Sequence, residues 1–164
     1  MKIATIRKNA FGRSIVAVAM AIAVAASAIP DYSIAHQGAT GVVKQRMDAM
    51  KSIAADMKIL LQMDRKQRKF DARVASRAAT AIAGHSTTMP GLFPKGSNAH
   101  PSEARKEIWT RWTEFSRLMK DMERAGKNYA QKAQSVAGAA ALRGEFRALA
   151  ASCSACHEKF RAKH

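Results

Sequence analysis

Two cysteines and a histidine near the C-terminus are the residues whose types and spacing most directly indicate chemistry. Cys153 and Cys156 are the only cysteines among the 164 residues, and His157 follows the second one directly. Cys-x-x-Cys-His is the attachment sequence for c-type haem, in which both thiols bond to the porphyrin and the histidine ligates iron. On a helix these side chains share one face, because residues i, i+3 and i+4 are neighbours. The motif therefore predicts one covalently bound haem c, with His157 as a metal ligand.

Other chemistry is available to a Cys-x-x-Cys pair, but the rest of the sequence favours it less. A redox dithiol of the thioredoxin type needs a βαβ setting, and no strand-like segment precedes Cys153. A structural zinc site requires four Cys or His ligands. A disulfide between two residues of the same helix would add little stability. Chance would produce the motif about four times in ten thousand in a chain of this composition. We expect the remaining histidines to be solvated: His36, His85, His100 and His164.

Apolar periodicity predicts the helices that must position this motif. Over residues 42–63 the apolar side chains recur in alternating steps of four and three, which is typical of a helix seam: Val43, Met47, Met50, Ala54, Met57 and Leu61. A second helix is expected from its N-cap Asp71 to a stop at Gly84, with one apolar side: Phe70, Val74, Ala78 and Ile82. The basic run 65–69 would be a solvated connector between the two helices.

The second half of the chain predicts a crossover and two more helices. Proline and glycine interrupt residues 85–101, and Ser102 could cap the third helix. That helix shows a long stripe, flanked by Trp109: Ile108, Trp112, Phe115, Met119, Met122, Gly126, Tyr129 and Ala133. After a break near residues 137–138, the fourth helix carries Leu142, Phe146, Leu149, Cys153, Cys156 and Phe160 on one face. The fold class is all-α, an antiparallel four-helix bundle with one long crossover loop.

The N-terminal segment predicts export. Four basic residues and no acid lie within residues 1–13, and an apolar run too short to span a bilayer follows over 14–28. Residues 1–35 would be a cleaved signal peptide, cut after Ala35 or else after Ala28, which leaves 36–164 as a haem-binding bundle in the periplasm. Removing four bases and one acid lowers the formal charge from +16 to +13. Such a surface favours acidic partners; we expect neither nucleic acid nor stable membrane insertion.

Several segments resemble those of the class II cytochromes c, the family of cytochrome c′ and its low-spin, methionine-ligated relatives. The matching segments cover nearly all of residues 36–164: Arg46-Met47-Asp48-Ala49-Met50, Leu92-Phe93-Pro94-Lys95-Gly96-Ser97, Glu107-Ile108-Trp109, and Cys153 to His157 with Phe160-Arg161. The resemblance implies that Met50 lies over the distal haem face and that Arg46 lies near a haem propionate. Spacing alone leaves Met47, Met50 and Met57 open as distal residues. Arg161 would either neutralise a propionate or interact favourably, as a C-terminal cation, with the dipole of the last helix.

Two functions are consistent with these residues. The first is a periplasmic one-electron carrier in which His157 and Met50 ligate iron, because a thioether ligand favours ferrous iron and raises the potential. The alternative is a five-coordinate haem protein of the cytochrome c′ type that binds a small gas such as nitric oxide. We expect no enzymatic activity, since peroxidase chemistry needs a distal acid/base pair and only Arg46 is polar near the expected distal face. The relatives imply that a homodimer is possible.

Overall fold

The computed structural model describes residues 38–163, which form an all-helical bundle. Four long helices build it: α1 is Gly41–Asp64, α2 is Ala72–Thr88, α4 is Trp112–Ala133 and α5 is Arg143–Phe160. A short helix α3, Glu107–Thr110, precedes α4, and single 3-10 turns occupy Met89–Leu92 and Ala139–Leu142. Over this range the only β-type pairing is an isolated bridge between Ala104 and Arg161. The predicted fold class is confirmed. The proposed signal peptide, His36 and His164 lie outside the described residues.

The first two helices begin and end for local reasons that the sequence largely contains. The carboxylate of Asp71 accepts a hydrogen bond from the Val74 amide at 3.0 Å, so the predicted N-cap of α2 is confirmed. Lys66 has a φ of 58°, a left-handed conformation that ends α1 in the way a C-terminal cap does. The connector 65–69 is exposed throughout, as predicted.

The expected stop of α2 at Gly84 is wrong, because the helix continues for one more turn to Thr88. A single glycine costs a helix only about 1 kcal/mol. The hydroxyls of Ser86, Thr87 and Thr88 each donate to a carbonyl one turn earlier, which keeps these polar side chains within the helical pattern. Pro90 follows in the 3-10 turn, where the regular helix has ended.

The third predicted helix is interrupted. The backbone leaves helical geometry at Arg111 (φ −121°, ψ 41°), so α3 and α4 are separate elements. Trp112, expected on the buried stripe, is instead 40% exposed. The other members of the stripe are buried, from Ile108 and Phe115 to Ala133. Ser102 does not cap a helix; its hydroxyl accepts from the Ala104 amide within the crossover.

The helix α1 has two apolar faces where the sequence predicted one seam. Its most buried apolar residues are Ile53, Leu60 and Met63, which join the core. The predicted seam lies beside them, and five of its six members line a cavity: Val43, Met47, Met50, Ala54 and Met57. Leu60 and Met63 thus pack against the bundle, while the seam forms a wall of the cavity together with Ile53, which belongs to both.

Candidate functional site

The predicted attachment residues come together on one wall of an apolar cavity. Cys153, Cys156 and His157 all lie on α5 and all line this cavity, whose volume is about 540 Å³. Cys156 is buried, and Cys153 and His157 are half-buried. The volume falls within the range of about 300–1,000 Å³ that is usual for cofactor pockets.

The rest of the lining is provided by α1, α3, α4 and the crossover. Met50 lines the cavity together with Met47 and Met57, so all three methionines that spacing left open face the same space. Two further methionines line the cavity, Met89 and Met119, and the sequence did not indicate this position for either of them. Both are almost fully buried. Met119 lay on a predicted stripe, whereas Met89 follows α2 where a loop was expected and gave no periodic signal.

Three phenylalanines complete the apolar lining, and Phe115 contacts the other two. The Phe115 ring is 4.9 Å from that of Phe93 and 5.6 Å from that of Phe160, both in edge-to-face geometry. These rings come from α4, the crossover and the end of α5. Their mutual contacts fix three separate segments around the cavity, since edge-to-face pairs add about 0.5–1.5 kcal/mol beyond burial.

Both cysteine sulfurs are free thiols in this apolar setting. Burial raises the pKa of Cys156 to about 11, with a smaller contribution from neighbouring Cys153. Burial also raises the pKa of Cys153, whose sulfur lies 3.5 Å from the Leu149 carbonyl oxygen. Both groups are therefore neutral thiols at neutral pH, held without a disulfide on the side of the helix that faces the cavity.

The imidazole of His157 is biased toward its neutral form. Burial lowers its pKa, the nearby positive charge of Arg161 lowers it further, and the negative charge of Glu103 opposes them. A neutral imidazole keeps a nitrogen lone pair available, which is the form that binds metals. Among residues 38–163 no three His, Cys, Asp or Glu side chains cluster as a metal site would require. His157 therefore lacks the companions that a structural zinc ion would need.

Arg46 lies in the cavity wall and fastens the crossover to α1. Although charged, it is only 5% exposed. Its guanidinium donates to the Ser97 hydroxyl at 3.1 Å, the Ser97 carbonyl at 2.5 Å and the Ser102 hydroxyl at 3.2 Å. It also lies 4.4 Å from the centre of the Phe93 ring. These bonds use three of its five N–H donors, so two remain for another group.

Arg161 also lines the cavity and is held by the crossover, at the residue that follows Ser102. Its Nε pairs with the Glu103 carboxylate at 2.5 Å, and both residues line the cavity. Backbone bonds join the same segments: the Arg105 amide donates to the Phe160 carbonyl, and the Ala162 amide to the Glu103 carbonyl. Sequence reasoning missed Glu103, because its proximity to His157 arises only from this long-range pairing.

The fold and the site define a class: a helical bundle with a Cys-x-x-Cys-His motif in the wall of an apolar cavity, which is the arrangement of a c-type cytochrome. The family model described as cytochrome c′ matches residues 41–161. The chain therefore belongs to the cytochrome c′ family.

Individual relatives agree with this assignment. The chain is 36% identical over 128 residues to cytochrome c-554 of Cereibacter sphaeroides, covering 74% of this chain and 93% of the relative. It is 32% identical over 124 residues to cytochrome c-556 of Agrobacterium tumefaciens, covering 75% and 98%. The solved structure of cytochrome c′ from Rhodopseudomonas palustris is 30% identical and has a TM-score of 0.67, covering 76% of this chain and 98% of that one.

Membership in the family makes covalently bound haem c the cofactor of this chain. The donor set fits, because the cavity offers two free thiols and one imidazole on the same face of α5. Members of this family are in general haem proteins without enzymatic activity, and in bacteria they are periplasmic. Over residues 38–163, every helix is too short or too polar to cross a membrane.

Proposed function

We propose that this protein is a periplasmic one-electron carrier with a single haem c, ligated by His157 and Met50. The observation that carries the proposal is that Met50 on α1 lines the same cavity as Cys153, Cys156 and His157 on α5. The haem supplies exchange of one electron between ferrous and ferric iron. The chain's own residues hold it, supply its axial ligands and set its surroundings.

Cys153 and Cys156 are proposed as the attachment thiols and His157 as the proximal ligand. The i, i+3, i+4 spacing on α5 places all three toward one flat group, and the neutral imidazole is suited to ligation. Covalent attachment keeps the cofactor in place while the protein diffuses between partners. A low-polarity cavity also limits the solvent that must reorganise when the iron charge changes.

Met50 is proposed as the distal ligand because it combines position with chemistry. Its thioether is a soft ligand that favours ferrous iron and raises the reduction potential. The formal charge, +16 for the full sequence and +13 after the proposed cleavage, acts in the same direction, since it disfavours the additional positive charge of ferric iron. Arg46, with two N–H donors to spare, and Arg161, which lines the same cavity, are proposed to lie near the haem propionates.

The distal ligand can be tested with matched methionine variants of α1. Met50→Leu should remove the far-red sulfur-to-iron charge-transfer band of the ferric protein and allow carbon monoxide to bind the ferrous form. Met47 and Met57 line the same cavity, and their replacement by leucine should leave the band unchanged. If the wild-type ferric protein is high-spin at neutral pH and binds carbon monoxide rapidly, the electron-carrier proposal is wrong and the gas-binding function takes its place.

Covalent attachment has its own test. The intact mass should exceed that of the polypeptide by one haem, and the haem should survive acid–organic extraction. Cys156→Ala should lower the yield of holoprotein, and Ser154→Ala, in the exposed position between the cysteines, should not. Haem that is fully extractable from the wild-type protein would contradict these roles of the cysteines.

Export is proposed from the N-terminal sequence. We propose that cleavage follows Ala35, because Ser33-Ile34-Ala35 places small residues at the positions a signal peptidase requires. N-terminal sequencing of protein recovered from the periplasm should begin at His36. A start at Ile29 would keep export and refute this site, whereas retention of Met1 would refute both.

A further inference from the structure

We infer that Trp112 and the basic residues around it form the surface on which an acidic electron-transfer protein docks. This inference rests on the proposed electron-carrier function and locates where the exchange takes place. The surface, here called the Trp112 patch, consists of Arg105, Lys106, Arg111, Trp112 and Lys159. Within residues 38–163, Trp112 is the one large hydrophobic side chain that is exposed.

The position of Trp112 relative to the cavity is the first argument. A single exposed apolar side chain is ordinary on a protein surface, so exposure alone carries nothing. The Trp112 ring, however, lies 5.4 Å from the ring of Phe115, which lines the cavity. The Arg111 guanidinium likewise lies 5.4 Å from the ring of Phe160, another lining residue. A partner in contact with Trp112 would therefore be separated from the cavity by one aromatic layer.

The charge of the patch is the second argument. Three of its four bases pair with two carboxylates: Arg105 with Glu107, and both Arg111 and Lys159 with Glu114. The basic side chains are also the more exposed partners. Arg111 and Lys159 are 46% and 41% exposed, against 26% for Glu114. The patch therefore presents a net positive charge.

An exposed aromatic side chain close in sequence to several exposed bases fits an acidic protein partner. Tryptophan and arginine are the residues most often found as interface hot spots. Rim charges steer the encounter and set its salt dependence. A small inorganic oxidant needs only the field, whereas a protein also needs contact area, and Trp112 provides the apolar part of it.

The test measures oxidation of the ferrous holoprotein by two oxidants: hexacyanoferrate(III), and plastocyanin as an acidic blue-copper protein. Trp112→Ser does not alter the charge. It should lower the second-order rate with plastocyanin by about fivefold or more and leave the rate with hexacyanoferrate unchanged. Equal rates of wild type and Trp112→Ser with plastocyanin would overturn the inference.

A charge-matched pair of variants separates local docking from the overall field. Arg105→Glu/Lys106→Glu and Arg68→Glu/Lys69→Glu change the net charge equally. The second pair lies in the connector between α1 and α2, beyond Asp64, at the end of the bundle where Tyr129 packs. At low ionic strength the first pair of substitutions should slow oxidation of the ferrous holoprotein by plastocyanin about tenfold more than the second pair. Equal slowing by both pairs would place docking elsewhere.

Two further outcomes are decisive. If ferrous wild type reduces neither oxidant, the proposed electron-carrier function is wrong, and the proposed docking surface is wrong with it. The other outcome is that the holoprotein self-associates in sedimentation and that Trp112→Ser abolishes the association without slowing oxidation of the holoprotein by plastocyanin. In that case the patch binds a second copy of the chain and the inference is wrong.

Discussion

Gly126 should be intolerant of even one added methyl group, because α2 and α4 meet at this residue. A Cβ atom at position 126 would lie 2.9 Å from the Ala79 carbonyl oxygen, 3.1 Å from the Ala83 Cβ and 3.3 Å from the Ala83 amide nitrogen. Two of these three atoms belong to the backbone and cannot move aside by rotation of a side chain. Gly84 on α2 is the matched control, since it is also within a helix and nothing lies within 4 Å of its Cβ position.

The two substitutions should change stability in opposite directions. Glycine to alanine inside a helix stabilises by about 0.5–1 kcal/mol through reduced backbone entropy of the unfolded chain. At Gly84 this gain acts alone. At Gly126 it is opposed by overpacking, which costs about 1–3 kcal/mol. We therefore expect Gly84→Ala to raise the free energy of unfolding by up to about 1 kcal/mol, and Gly126→Ala to lower it by up to about 2.5 kcal/mol.

Guanidinium unfolding of the holoprotein, followed by circular dichroism, measures both effects. The midpoints should shift while the slope with denaturant stays constant, because the change concerns the native state. If Gly126→Ala were as stable as Gly84→Ala, the close approach of α2 and α4 described here would be wrong.

Three further predictions concern single side chains. Burial, with the charges of Asp64 and Glu145, raises the pKa of Tyr129 to about 12. Because this folded-state pKa exceeds the unfolded value of about 10, its contribution to stability is complete below pH 10 and is lost as the pH rises to 12, so between pH 8 and 11 the free energy of unfolding of wild type should fall by about 1.4 kcal/mol relative to that of Tyr129→Phe. Parallel pH profiles of the two proteins would refute this. Asp71→Ala removes the N-cap of α2 and should destabilise by about 1 kcal/mol in thermal unfolding, whereas Asp71→Asn should preserve most of the stability. Trp109→Phe removes an indole N–H that donates to the Phe93 and Pro94 carbonyls at 3.0 and 3.1 Å. Amide hydrogen exchange should therefore accelerate within residues 93–101 but not in α2, and unchanged exchange of residues 93–101 would contradict this prediction.

The sequence contained the helices and the attachment motif because both are local properties. The N-cap Asp71 acts within its own turn, and the Cys153, Cys156 and His157 spacing fixes one face of α5 whatever the helix packs against. Heptad spacing likewise located α1 to within a residue at either end, 41–64 against the expected 42–63. Such features depend on intervals of three or four residues, which can be read from one chain.

What could not be predicted arises from contacts between distant segments. Trp112 has the spacing of a buried residue, and its exposure follows from the irregular backbone at Arg111. Glu103 reaches the neighbourhood of His157 because the crossover pairs with the residues after α5. Neither event leaves a periodic signal, since periodicity assumes that a helix continues unbroken.

The two residues of α1 that the family resemblance selected have separable roles in the structure. A buried guanidinium must be hydrogen-bonded to offset its lost hydration, and Ser97 and Ser102 meet this need for Arg46. Arg46 therefore holds the crossover, and with it Phe93, against α1 whether or not a propionate takes its remaining donors. Met50 lies one turn later on the same helix and has no polar partner, so replacing it with leucine leaves the network intact. A spectral change in Met50→Leu then reports on iron ligation, because the wall that Arg46 builds is still in place.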